Sequence, residues 1–301
     1  MARQLTYAQR LVLISKWKNP PGPSEQARLE RAERMVKDAV RRHEPFRGLD
    51  ITVAAKGSYP NKTNVRGDSD VDIMVKLNDP CHTDGLASWW WGQPARYTGP
   101  WTKAKLREEV HAALTSYFGW VDAEHNIAFY VPEVLGSRPS IDVVPCFKWV
   151  KYDLAAPEGE HVGSVVYGRN GKQIINWPEL QLTNGRTKNT NTSYRYKFVV
   201  RVLKNVENDL AAEGVIKALP SYFSECLIYN VPDHIFLAGD LDDAVRSSLR
   251  EVYRQLSSFM GPQVMWEPNG MKRVFGEDQK WNVKDARELI EGAWHYLGYG
   301  D

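Results

Sequence analysis

A chain of 301 residues has room for one large domain or two coupled ones, and 43% hydrophobic with 25% charged residues are ordinary globular proportions. Lys and Arg number 39 against 37 Asp and Glu, a formal charge of +2, so the basic excess of a protein that clamps duplex DNA is missing and small anionic substrates suit the balance better. Cys81, Cys146 and Cys226 form no C-x-x-C pair, and there is neither an apolar signal region at the N-terminus nor an 18-residue apolar run. These features exclude a zinc ribbon, a disulfide framework and a membrane span by pattern; the expectation is a cytoplasmic protein with no membrane partner and no stable duplex DNA partner.

In chain order, Tyr7 to Lys18 reads as a short amphipathic helix, stopped by Asn19-Pro20-Pro21-Gly22-Pro23. Ser24 is placed to cap a long helix whose stripe is Leu29, Ala32, Val36, Ala39 and His43, ending before Pro45. Ile51 to Lys56 and Val71 to Leu77 read as short strands, and the stretch 78–102 as an irregular insertion whose Trp89-Trp90-Trp91 reads first as packing, with a ligand surface as the alternative. A helix over Lys103 to Phe118 and strands over Ile127 to Val131 and Ile141 to Val150 follow. Ser193 to Leu210 and the patterns from Ser221 onward are helical. The fold class is therefore α+β: a mixed sheet with helices and a long N-terminal spine helix over 1–190, then a helical domain over 191–301.

The chemistry gathers around Gly57-Ser58-Tyr59 and Asp70-Val71-Asp72. Asp70 and Asp72 stand two apart on a strand and project from one face, where their mutual repulsion is best relieved by a divalent cation. A solvated edge strand is the ordinary alternative. Gly57-Ser58 ends a strand and opens a loop, offering backbone N–H groups and a hydroxyl to a phosphate. Asp142 is a third acid, set inside the apolar run Ser140-Ile141-Asp142-Val143-Val144, where a lone carboxylate is costly unless paired or metal-bound. No P-loop motif is present. In order and spacing, Gly57, Ser58, Asp70, Asp72 and Asp142 resemble the pattern of the polymerase-β-like nucleotidyltransferases.

Further along, Lys197, Arg201 and Lys204 form a basic stripe, a pattern ordinarily met on a solvated helix face. Pro220-Ser221-Tyr222-Phe223 opens the next helix, where Ser221 could receive an anion or serve as a plain cap, and Tyr222 could stack on a base. These segments, with Asn64-Val65-Arg66-Gly67-Asp68-Ser69-Asp70 and Arg201-Val202-Leu203-Lys204-Asn205, resemble the CD-NTases, relatives of cGAS and DncV, and most closely bacterial clade E. The zinc-binding insertion of cGAS is missing.

The resemblance implies a synthase of a cyclic oligonucleotide second messenger in antiphage signalling, whose product binds a separate effector. It implies two Mg²⁺ ions held by Asp70, Asp72 and Asp142, the last sharing the ion that activates the attacking ribose hydroxyl. Gly57, Ser58, Lys204 and Ser221 would hold the triphosphate and Tyr222 would stack on a base, with the site in a cleft between the two domains. Asn176, in Ile174-Ile175-Asn176-Trp177-Pro178, matches the position of a uracil-reading Asn, whose amide can both donate and accept. UTP and ATP are then the expected substrates, and cyclic UMP–AMP or cyclic di-UMP the expected product. The rivals are a template-independent RNA nucleotidyltransferase or oligoadenylate-type synthase, which needs a basic track, and a catalytically inactive nucleotide-binding module, which intact carboxylates oppose.

Overall fold

The computed structural model describes residues 4–65, 71–83, 99–153, 155–156 and 158–300; Asp70 and Trp89-Trp90-Trp91 lie outside them. The chain divides into two compact units, each discontinuous in sequence: residues 22–59 with 69–179, and residues 1–21 with 60–68 and 180–301. The helical unit thus gathers an N-terminal helix and a short loop that lie within the expected catalytic half.

The sheet unit opens with α2 (Pro23–Arg42), whose buried stripe is Leu29, Ala32, Val36, Ala39 and Val40. Its N-cap is Gly22, not Ser24. Pro23 takes the first helical position, where a missing N–H costs nothing, and so moves the start ahead of the serine. Strands β1 (Ile51–Ala55), β2 (Val71–Thr83), β3 (Phe129–Val131), β4 (Ile141–Tyr152), β5 (Glu160–Tyr167) and β6 (Gln173–Asn176) form one sheet in the order β1-β2-β4-β5-β6, with β3 also on β4. Only the β2–β4 pair is parallel. Helix α3 (Ser58–Asn61) follows β1, and α4 (Lys103–Phe118), capped by Thr102, precedes β3. Both α2 and α4 pack on the sheet, α2 against β1 and β2, α4 against β4.

Strand β2 continues to Thr83, beyond the Leu77 end expected from pattern. Pro80 has no N–H to give the ladder, so the register shifts between Leu77 and His82 and pairing resumes at His82–Trp149.

The helical unit is built around α6 (Arg195–Ala212). α1 (Tyr7–Trp17), α7 (Tyr222–Tyr229), α8 (Asp233–Leu237), α9 (Leu241–Ser257) and α11 (Val283–Tyr296) surround it, with α5 (Pro178–Asn191) before it and α10 (Gly261–Val264) on α9. Its core is one apolar cluster running from Leu5 and Ile14 through Val199, Leu203, Val206 and Leu210 to Phe223, Leu249 and Leu289. The N-terminal helix is fastened by Arg10, which pairs twice with Asp242 (2.9 and 3.1 Å) and donates to the carbonyls of Leu297 (2.8 Å) and Gly298 (3.0 Å). Among the described residues no helix is long and apolar enough to cross a membrane.

Candidate active site

Asp72 and Asp142 occupy one rung of the parallel β2–β4 ladder. Paired residues of neighbouring strands share a face and stand about 4.8 Å apart. Asp72 is exposed although Val71 and Ile73 beside it are buried, and half-buried Asp142 lies between buried Ile141 and Val143. The face they share carries Met74, Val144, Cys146 and Val166 further along. A carboxylate pair at the end of an apolar sheet face is what a half-solvated metal site requires.

The Gly57 turn sits beside this pair. The Lys56 amide donates to the Asp72 carbonyl (2.9 Å), closing the β1–β2 ladder, and Gly57 follows at φ 75°, in the left-handed region that glycine adopts freely. A Cβ on Gly57 would stand 3.4 Å from Asp72 Oδ2, so the turn's backbone runs directly against that carboxylate. Ser58 then begins α3.

Two in-register carboxylates beside a bare glycine backbone fit Mg²⁺, which takes a few protein oxygens and leaves positions for water and phosphate. Among the described residues no group of three or more His, Cys, Asp or Glu side chains could hold a metal. The third acid of the expected set, Asp70, lies outside those residues.

Asn176 ends the edge strand β6. It pairs with Ser164, and Ser164 pairs with Lys148, which lies an even number of residues along β4 from Asp142. The register therefore puts Asn176 on the face that bears Asp72 and Asp142, at about 20 Å of strand length from them. Its place depends on Gly163 of β5, where a Cβ would meet the Asn176 carbonyl oxygen at 2.6 Å.

In the helical unit the basic stripe is not a solvated face. Lys197, Arg201 and Lys204 are 7%, 3% and 0% exposed, because α6 is the hub of its unit and is covered on nearly every side. Burial pushes the Arg201 guanidinium down to about 10. It donates to the Lys18 carbonyl through Nε (2.7 Å) and to the Lys62 carbonyl through Nη1 (2.5 Å). Burial likewise brings the Lys197 ammonium down to about 8; Glu225 opposes the shift, while Arg186, Arg201 and Lys62 add to it.

Ser221 precedes α7 in helical backbone conformation, and its side chain makes no capping bond, so it is not a plain cap. Half-buried Tyr222 is fixed at both ends: its hydroxyl donates to Glu267 Oε2 (3.2 Å) and its ring meets Trp281 edge-on at 6.5 Å. Burial, reinforced by Cys226, Glu267 and Glu225, raises its phenol well above the usual range, so it stays a donor.

Two residues that sequence reasoning passed over have structural work here. Gly163 is one, and only its place in a β-branched run marks it. The other is Glu225, wholly buried on α7, which accepts hydrogen bonds from Asn61 Nδ2 (2.5 Å), Thr63 Oγ1 (2.7 Å) and Gln181 Nε2 (3.3 Å). In sequence it reads as an ordinary acid in a first helical turn.

Comparison with known proteins shows the family to which this fold belongs. Residues 183–298 match the cGAS/DncV-like nucleotidyltransferase C-terminal helical domain. The chain is 33% identical over 293 residues to a cyclic dipyrimidine nucleotide synthase CdnE of Legionella pneumophila, covering 94% of this chain and 96% of that one. It is 30% identical over 295 residues to a cyclic dipurine nucleotide synthase of Elizabethkingia meningoseptica, covering 95% and 97%. Among solved structures, the CdnE c-UMP-AMP synthase of Rhodothermus marinus with Apcpp and Upnpp superposes with a TM-score of 0.81 at 28% identity, covering 96% of both chains. The fold, the paired carboxylates and full-length likeness together make this chain a member of the cGAS/DncV-like nucleotidyltransferases, the CD-NTases, alongside their CdnE enzymes.

Proposed function

We propose that this protein joins ribonucleoside triphosphates into a uridine-containing cyclic dinucleotide, cyclic UMP–AMP or cyclic di-UMP, and that the product acts on a separate effector in antiphage signalling inside the cell. The observation that carries the reading is the Asp72–Asp142 rung beside the Gly57 turn, in a chain similar over nearly its whole length to a cyclic dipyrimidine nucleotide synthase.

In this reading Asp72, Asp142 and, from the sequence, Asp70 hold two Mg²⁺ ions. Bound there, the ions would offset the triphosphate's charge and make a ribose hydroxyl easier to deprotonate. The Gly57 and Ser58 backbone, the Ser58 and Ser221 hydroxyls and Lys204 orient the triphosphate. Tyr222 offers a fixed aromatic surface to a base. The ribose oxygen forms a bond to the α-phosphorus as the bond to pyrophosphate breaks and the hydroxyl proton is lost; a second transfer of the same kind closes the ring. Asn176 selects uracil by pairing with its edge. The division into a nucleotidyltransferase core over 1–190 and a helical C-terminal domain over 191–301 belongs to the same proposal.

The test is incubation with Mg²⁺ and four labelled ribonucleoside triphosphates, with Asp72→Asn alongside, followed by phosphatase and mass spectrometry. A phosphatase-resistant, uridine-containing dinucleotide lost in the variant is expected. Phosphatase-sensitive linear chains would replace this reading with an RNA-type transferase.

A further inference from the structure

The helix that Ser58 opens ends at Asn61, and the three residues 61–63 are held to an unusual degree. Asn61 and Thr63 are 1% and 0% exposed and both donate to the wholly buried Glu225. Between them Lys62 has φ 53°, a left-handed backbone that a side-chain-bearing residue rarely adopts. Its carbonyl receives the Arg201 guanidinium at 2.5 Å, and its own side chain is exposed. Asn61 is also boxed in by Gly185, where a Cβ would come within 2.9 Å of Asn61 Oδ1. Two buried charges thus act on three consecutive residues, one through side chains and one through the backbone.

Burying an acid and a guanidinium is expensive, and an apolar contact would hold a surface loop as well. What the charged pair does, and an apolar contact would not, is over-determine one backbone conformation. A left-handed lysine persists only where its surroundings fix it. Arg201 is in this respect different from what the basic stripe suggests: each of its three nitrogens donates to the carbonyl of Lys18 or Lys62.

We propose that Glu225 and Arg201 are positioning residues, which pin residues 61–63 and through them α3, the short helix whose first residue, Ser58, closes the Gly57 turn. The inference rests on the triphosphate role proposed above for that turn. Neither residue touches the reacting atoms; both act through the far end of α3.

The experiment compares Glu225→Gln and Arg201→Lys, each with and without Lys62→Gly, for kcat, KM and hydrogen exchange of the 58–63 amides. Each single variant is expected to lose about tenfold or more in kcat/KM, mostly in kcat, because misplacement acts on the transition state. Exchange at 58–63 should quicken while exchange in β4 stays as in the wild type. Lys62→Gly should be close to neutral in the wild type yet recover about threefold in the variants, since glycine adopts the left-handed conformation unaided. If Glu225→Gln fails to fold, Thr63→Val removes one donor to the same carboxylate and takes its place. Wild-type kcat in folded variants, unchanged exchange at 58–63, or a Lys62→Gly effect equal in every background would each overturn the proposal. A wild type that makes no product would instead refute the synthase reading, and the exchange data would still decide the clamp.

Discussion

Gly163 lies directly against Trp177: a Cβ at this position would come within 2.7 Å of the indole ring and 2.6 Å of the Asn176 carbonyl oxygen. Edge strand β6 and the residue that ends it are seated by the absence of a side chain on β5. Gly163→Ala is therefore expected to shift Asn176 without unfolding the sheet unit. Uridine incorporation, relative to the other nucleotides in a mixed-substrate assay, should fall about tenfold, the loss of one or two well-made hydrogen bonds. Asn176→Ala should reproduce it. An unchanged base ratio in both variants would remove Asn176 from base selection.

The Asp72–Asp142 rung predicts opposite effects on activity and stability. Asp72→Asn removes one of two like charges on neighbouring strands, so the metal-free protein should unfold no earlier than the wild type. Its synthase activity should fall by more than about a hundredfold. Added Mg²⁺ should raise the melting temperature of the wild type by mass action and leave that of the variant nearly unchanged. A Mg²⁺ response that survives in Asp72→Asn and in Asp142→Asn would place the ion elsewhere.

Lys204 and Ser221 make a graded pair. Lys204→Met keeps an unbranched side chain in a fully buried place and removes the charge. A charge-assisted contact to phosphate corresponds to about 1.5–3 kcal/mol, so KM for the nucleoside triphosphate should rise about 10–100-fold. Ser221→Ala removes one neutral hydroxyl that caps nothing and should cost only about two- to tenfold. Steady-state kinetics with each nucleotide varied in turn checks both.

Lys197 makes stability depend on pH in a defined window. Its folded value of about 8 lies below the ordinary lysine value of 10.5, so between these limits the unfolded chain binds the extra proton. Stability from this group is fully present above the upper limit and is lost as pH falls through about 8. Urea unfolding at pH 7, 9 and 10.5 should give a rising contribution that Lys197→Met abolishes. A parallel pH dependence in wild type and variant would show that Lys197 is not its source.

The carboxylates could be read in the sequence because an acid among β-branched residues conflicts with its local surroundings, and such conflicts concentrate where function is. Gly57 was readable for a similar reason, a glycine at a strand's end beside a hydroxyl. The basic stripe misled because periodicity reports which residues share a helix face, not whether that face meets water. On α6 nearly every face meets protein, and Lys197, Arg201 and Lys204 are buried with the valines. Strands β5 and β6 and helix α5 carry no clean period, α5 being nearly without amphipathic order, so pattern alone did not find them. That Asn176 shares a face with Asp72 takes the register of three successive strand pairs, which no local pattern contains.

Leu5 and Arg10 are fastened to residues far later in the sequence, and this separation orders events during synthesis. Helix α1 is translated long before these partners, Tyr296 to Gly298. The sheet unit, complete by residue 179, can assemble while the helical unit is still being translated. Until Arg10 meets Asp242 and the 297–298 carbonyls, α1 lacks the polar ties that fasten it to the unit. A nascent chain can therefore hold a finished sheet unit well before the helical unit has all of its parts.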